Sequence, residues 1–126
     1  MRLTVLDKEL SIVRCQPDEG VLSNWLEQDF ISITRTDEEL SVVVASEILQ
    51  TPSSTMKIED GWKAIKVVGP LDFSMVGVLA QLSQSLAQAE ISIFVISTFD
   101  TDYILVKERD LAAAILTLKK QDHVFV

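Results

Sequence analysis

The sequence predicts an α+β fold in which antiparallel sheets are covered by helices on one face and the chain is built as two related halves, the first abbreviated. Three observations carry this expectation. Short apolar runs recur between polar breaks, as strands do. Between some of them lie segments whose apolar residues fall at spacings of three and four, the mark of a helix with one buried face. The text DFISITRTDEELSVVVASE (Asp29–Glu47) returns as ISIFVISTFDTDYILVKE (Ile91–Glu108), with Ile31-Ser32-Ile33 matching Ile91-Ser92-Ile93 about sixty residues later.

In order, Leu3–Leu6 and Leu10–Val13 read as strands on either side of the charged turn Asp7-Lys8-Glu9. Pro17 and Asp18 stop the sheet pattern. Val21, Leu22, Trp25 and Leu26 then share one face of a helix over Pro17–Glu27. Phe30–Arg35 and Leu40–Val44 follow as strands joined by Thr36-Asp37-Glu38-Glu39. QTPSST (Gln50–Thr55) has no periodicity and reads as the loop between halves. Residues 1–55 are therefore expected to form the abbreviated unit and residues 56–126 the complete one.

In the second half, Met56–Asp60 reads as an edge strand, Gly61 as a turn and Trp62–Val68 as a strand ended by Gly69-Pro70, because proline cannot donate to a ladder. The clearest helix runs from Phe73 to Ala89, with Met75, Leu79, Leu82, Leu86 and Ala89 on one face and Gln81, Gln84, Ser85 and Gln88 elsewhere. Ile91–Ile96 and Tyr103–Val106 form a hairpin. Its tip, Phe99-Asp100-Thr101-Asp102, lacks the Gly or Asn that tight turns use for positive φ. A last helix over Arg109–Lys120 buries Leu111, Ala114, Ile115 and Leu118, and Val124–Val126 adds a final strand. This β-α-β-β-α order implies a ferredoxin-like sandwich.

Composition narrows the function. A formal charge of −8 leaves no clustered Lys and Arg for nucleic acid or an anionic membrane surface. Cys15 is the single cysteine, so it forms no disulfide within the chain, and its apolar neighbours suit a small buried hydrophobe. No run of eighteen apolar residues and no basic leader followed by an apolar stretch appears, so a cytoplasmic location is expected. His123 stands without a second His or Cys at metal spacing. No nucleophile elbow, P-loop or dinucleotide fingerprint is present, so no enzyme is expected and no cofactor is implied.

FISITRTDEELSVV (Phe30–Val43), GWKAIKVVGPLDFSMVGVLAQLSQSLAQAEISIF (Gly61–Phe94) and ISTFDTDYILVKE (Ile96–Glu108) resemble the ACT-domain family of small regulatory modules. The resemblance covers nearly the whole chain and is strongest to short bacterial paired-ACT proteins. The chain is also similar to the ACT pairs of the cytosolic arginine sensors of animals. The resemblance implies two ACT-type units that bind a small amino acid or related ligand in a homodimer, without catalysis, or alternatively a protein-protein interaction module with no small ligand. It implies a site made by the Gly69–Val78 loop, with Asp72, Gly77 and Val78, and by the hairpin residues Thr98, Phe99 and Asp102.

Chemistry fits that assignment. An amino acid needs donors for its carboxylate beside an acceptor for its ammonium. Free N–H groups at a helix start, reached past a side-chain-free Gly77, supply the donors. Asp102 supplies the acceptor and Phe99 a wall. Each residue also has a plainer reading: Asp72 as a helix N-cap, Gly77 as a packing glycine, Phe99 as core, and Asp100 and Asp102 as turn carboxylates. Trp25 and Trp62 read as core aromatics.

Overall fold

In chain order the elements are β1 (Arg2–Val5), β2 (Leu10–Cys15), α1 (Ser23–Leu26), β3 (Ile31–Arg35), β4 (Leu40–Ala45), β5 (Lys57–Val67), α2 (Val78–Gln88), β6 (Ile93–Ser97), β7 (Asp102–Lys107), α3 (Leu111–Lys120) and β8 (Val124–Phe125). Single 3-10 turns occupy Ser46–Ile48 and Glu108–Asp110. The structure is a computed structural model that describes residues 1–21, 23–49, 53–69 and 77–126. Leu22, Asp72 and the helix start expected over Phe73–Val76 lie outside the described residues. Among those described, no helix is long and apolar enough to cross a membrane. The chain divides into two compact units, Lys8–Trp62 and Met1–Asp7 together with Lys63–Val126.

In the unit Lys8–Trp62 the strands run β3-β4-β2-β5, each pair antiparallel. Side chains alternate between the two faces of a strand, so Leu40, Val42 and Val44 point the same way as Val13 and Cys15. They form a core with Trp25. The helix predicted over Pro17–Glu27 shrinks to α1, which delivers Trp25 to that core and leaves Leu26 57% exposed. One turn of helix can present one side chain to a sheet, not the four-residue stripe that the spacing suggested. Burial pushes the Cys15 thiol pKa up, with Glu19 adding to it, as suits a small hydrophobe.

Gly61 is not a turn. β5 passes through it, opposing Leu10 with Trp62 and Ile12 with Glu59, so the register shifts at this point. Gly61 has φ +76°, the left-handed backbone that a bulge of this kind demands and that glycine adopts without strain. Bulge and turn use the same residue, and only pairing with β2 tells them apart.

In the other unit the order is β6-β7-β5-β1-β8. β1 is antiparallel to β5 and parallel to β8, so this sheet is mixed. Leu82 and Leu86 of α2 and Ala114 and Leu118 of α3 pack with Leu3, Ile65, Val67, Ile104 and Val106. Gln81, Gln84 and Gln88 are exposed, as the spacing predicts, while Ala89 lies past the helix and is exposed too. Both helices end in Schellman motifs without glycine. Ile91 N–H donates to Leu86 O and Glu90 N–H to Ala87 O; His123 and Asp122 repeat the pattern on Leu118 and Lys119. Glu90 and Asp122 take the left-handed position, at φ +60° and +66°.

The second of these motifs buries His123, whose Nδ1 lies 3.2 Å from the Met1 ammonium. Burial lowers the His123 pKa below its ordinary value; the ammonium adds to this and Asp122 opposes it. The native protein therefore favours the neutral ring. Its contribution is complete above the unfolded pKa of about 6.5 and is lost as the pH falls toward the lower folded value. The urea midpoint is expected to drop as the pH falls below about 6.5, and to drop less in His123→Gln.

Candidate functional site

The tip of the β6–β7 hairpin closes without glycine because it needs none: neither Thr98 nor any residue through Thr101 has positive φ. Thr98 takes the place of special backbone geometry. Its N–H and hydroxyl both donate to Thr101 O, at 2.9 and 3.0 Å, and its Oγ1 accepts from Thr101 N–H at 3.3 Å. Thr101 is 5% exposed and donates its hydroxyl to Val67 O at 2.6 Å, which pins the tip to the end of β5. Just below, Ser97 Oγ donates to Asp102 Oδ1 at 2.5 Å.

Alternation sorts these residues by face. Asp102 shares a side of β7 with Ile104 and Val106, which face α2 and α3. Tyr103 points the other way, as does Lys66 between Ile65 and Val67 of β5. On the helix side, α2 starts after Gly77, whose φ is +86°. A Cβ there would meet nothing within 4 Å, so the glycine serves its backbone angle and not tight packing. The α2 N-terminus has no side-chain cap hydrogen bond and no acidic residue in its first turn. Gly77 has no side chain to cap the helix, and leading N–H groups of this kind attract an anion. Val78, the first helical residue, packs on the core and so fixes where those groups point.

Of the residues expected to form a site, Gly77, Val78 and Asp102 therefore belong to the helix-covered side of one unit. Thr98 lies at the tip, and Phe99 stands 80% exposed, outside the core. Asp72 lies outside the described residues. Three residues escaped the sequence reading. Thr101 looks like any turn residue, and its buried bond depends on β5. Lys66 and Tyr103, with Gly69, Thr98, Asp100 and Thr101, line a cleft of about 250 Å³ on the far side. Lys66 had registered only as an interruption of an apolar strand. No cluster of three His, Cys, Asp or Glu able to hold a metal occurs among the described residues.

The same hairpin occurs in the other unit. β3, β4 and the turn Ser46–Ile48 recur as β6, β7 and Glu108–Asp110, each 62 residues later (31 to 93, 40 to 102, 46 to 108). Thr36 repeats the bonds of Thr98: its N–H donates to Glu39 O at 2.9 Å and its hydroxyl accepts from Glu39 N–H at 3.1 Å. The sequence match of Ile31 to Ile91 is thus two residues out of register; Ile91 closes the α2 C-terminus and Ile93 is the structural counterpart. In this frame Asp37 stands for Phe99, Glu39 for Thr101 and the fully buried Leu40 for Asp102. Only the threonine that builds the tip is kept.

Comparison with known proteins agrees with this architecture. A family model described as ACT domain matches residues 57–120. The human cytosolic arginine sensor for mTORC1 subunit 1 is 35% identical over 95 residues, covering 75% of this chain and 27% of the sensor. The chain spans 27% to 63% of the length of the curated human relatives it matches. The crystal structure of protein Atu0741 from Agrobacterium tumefaciens superposes with a TM-score of 0.88 at 31% identity, covering 99% of this chain and 91% of that one. Aspartokinase alpha and beta subunits share the fold, with a TM-score of 0.66 at 22% identity over 95% and 96% of the two chains.

Proposed function

We propose, from the premise that this chain belongs to the ACT-domain family, that it is a regulatory or sensor module binding a small amino acid. What supports this reading is that Gly77, at the start of α2, and the acceptor Asp102 both belong to the helix-covered side of one unit, and that the first turn of α2 holds no acidic residue. The ligand carboxylate takes the α2 N–H groups and its ammonium takes Asp102. The 62-residue recurrence supports reading the chain as an abbreviated and a complete ACT unit, with Lys8–Trp62 as the abbreviated one and Met1–Asp7 joining the complete one. Phe99, so exposed in one chain, becomes a pocket wall when a second copy faces it, so the working form is a homodimer. The name of the arginine-sensing relative supports a cytosolic location and a regulatory role without catalysis.

Thermal unfolding against each common amino acid tests this. A ligand at a hundredfold excess over Kd stabilises the native state by about 2.7 kcal/mol, which raises the midpoint by several degrees. Asp102→Ala is expected to weaken binding roughly tenfold to a hundredfold, the cost of losing a charged hydrogen bond of about 1.5–3 kcal/mol. If no amino acid moves the midpoint, the ligand-binding reading fails and the module is one that pairs with another regulatory protein.

A further inference from the structure

The sheet face that packs on Trp25 in the unit Lys8–Trp62 is closed at its centre and exposed at its margins. We infer that its β3 margin docks a basic amphipathic helix of a partner protein, laid along β3 beside α1. Three features of this unit point there, and the amino-acid site, which belongs to the other unit, takes no part in them.

The first is a row of side chains across four strands. Ile33 pairs with Val42, Val42 with Val13 and Val13 with Ile58, so the four stand in line on one face. The inner two are fully buried and pack with Trp25, whereas Ile33 is 40% and Ile58 37% exposed. α1 brings Trp25 to the middle of the row, and the next residue of its single turn, Leu26, is 57% exposed. Apolar surface of this kind gains when a second apolar surface removes it from water.

The second is the internal repeat, which says what covers such a margin. Val95 holds in β6 the place that Ile33 holds in β3, 62 residues earlier, and it packs on the core that α2 and α3 form with their sheet. The ten residues of α3 correspond to 49–58, yet Lys57 and Ile58 are strand, so the abbreviated unit has no counterpart of that whole helix. The position that helices close in one unit is thus exposed in the other. β3 spans five residues, about 16 Å, which about eleven residues of helix match in length.

The third is charge, which selects the occupant. Lys8–Trp62 holds eleven Asp and Glu against four Lys and Arg, so −7 of the chain's −8 belongs to it. Exposed Glu27 and Asp29 precede β3 and exposed Asp37 and Glu38 follow it, while Arg35 donates to Pro17 O. A helix along β3 meets carboxylates at both of its ends, and lysines or arginines on its polar face complement them. A second copy does not: its unit of this kind is equally negative, and its other unit is near neutral at −1. A helix with an apolar stripe on Ile33 and Leu26 and a basic outer face satisfies both parts of the surface.

Two-dimensional proton–nitrogen NMR of the intact chain tests this with a peptide of about eighteen leucines and lysines, the leucines at helical spacings of three and four. The peptide is expected to shift the amides of Leu26, Ile31 and Ile33 saturably and to gain helical circular dichroism on binding. The same residues in scrambled order, and the same pattern with glutamate for lysine, are expected to bind at least tenfold more weakly. Ile33→Ser is expected to weaken the peptide at least tenfold. Leu26→Ser repeats the test outside the sheet, should Ile33→Ser disturb the fold. Leu116→Ser, at a leucine 56% exposed in the other unit, is expected to leave the affinity unchanged, as is Asp102→Ala. Absence of saturable shifts overturns the inference, as does equal binding of the scrambled peptide or wild-type affinity in both Ile33→Ser and Leu26→Ser. Strand-type dichroism in the complex overturns it in favour of a strand added to β3. Dimerisation of the chain that Ile33→Ser abolishes overturns it in favour of a second copy. Because amino-acid binding answers to Asp102→Ala and peptide binding does not, the two readings fail separately.

Discussion

Leu82→Ala is expected to destabilise the protein by about 2–5 kcal/mol, the range for emptying a leucine site in a core that relaxes only in part. Leu82 is fully buried in the middle of α2 and sits among the side chains of α3 and the sheet. Alanine is a strong helix former, so the loss measures packing and not helix propensity. For a domain of this size the melting midpoint falls by roughly 10 °C. Leu26→Ala makes the paired control. Sequence spacing put both leucines on buried faces, yet Leu26 is exposed, and its truncation is expected to change stability by no more than about 0.5 kcal/mol. Urea unfolding of the two variants decides the matter; comparable losses would contradict the burial assigned to both positions.

Thr101→Val carries the next largest effect. Valine keeps the shape of threonine and removes the hydroxyl, so Val67 O loses the donor that reaches it from the hairpin tip. A buried polar group left without its partner costs about 1–3 kcal/mol. Thr101→Ser restores the donor and is expected to recover most of the loss. The backbone amides of Thr98 and Thr101 should exchange faster with solvent in the valine variant, since the tip is then held only by its own local bonds. If Thr101→Val matches the wild type in urea, the bond to β5 contributes nothing. The corresponding residue in the other unit, Glu39, is half-buried and carries no hydroxyl to make such a bond.

Period carried most of the fold. The 4-3 spacing of Leu79, Leu82 and Leu86 and the alternation of Leu40, Val42 and Val44 are local signals, and the elements follow them. Features that depend on distant partners did not show. Gly61 reads as a turn until β2 is laid beside it. The helix ends at Glu90 and Asp122 carry no glycine, and the paired bonds that define them cannot be inferred from residue type. The two ISI triplets misled by two residues because text can repeat where structure has moved on. Asp102 and Gly77 stood out as candidates through their chemical types, whereas Lys66 gained meaning only when alternation set it opposite the helices and next to Tyr103. Thr101 was concealed for the same reason: its partner, Val67, lies 34 residues away.

The grouping of Met1–Asp7 with Lys63–Val126 has a consequence for synthesis. Lys8–Trp62 is one unbroken stretch, so it holds all its own strands as soon as residue 62 has left the ribosome. β1 is made before any of them, yet its neighbours are β5 and β8, and Thr4 bonds to Val126 across 122 positions. β1, translated ahead of the strands of Lys8–Trp62, is therefore enclosed after them. Until then its Leu3 and Val5 remain open to chaperones, and closing so long a loop slows the final step of folding.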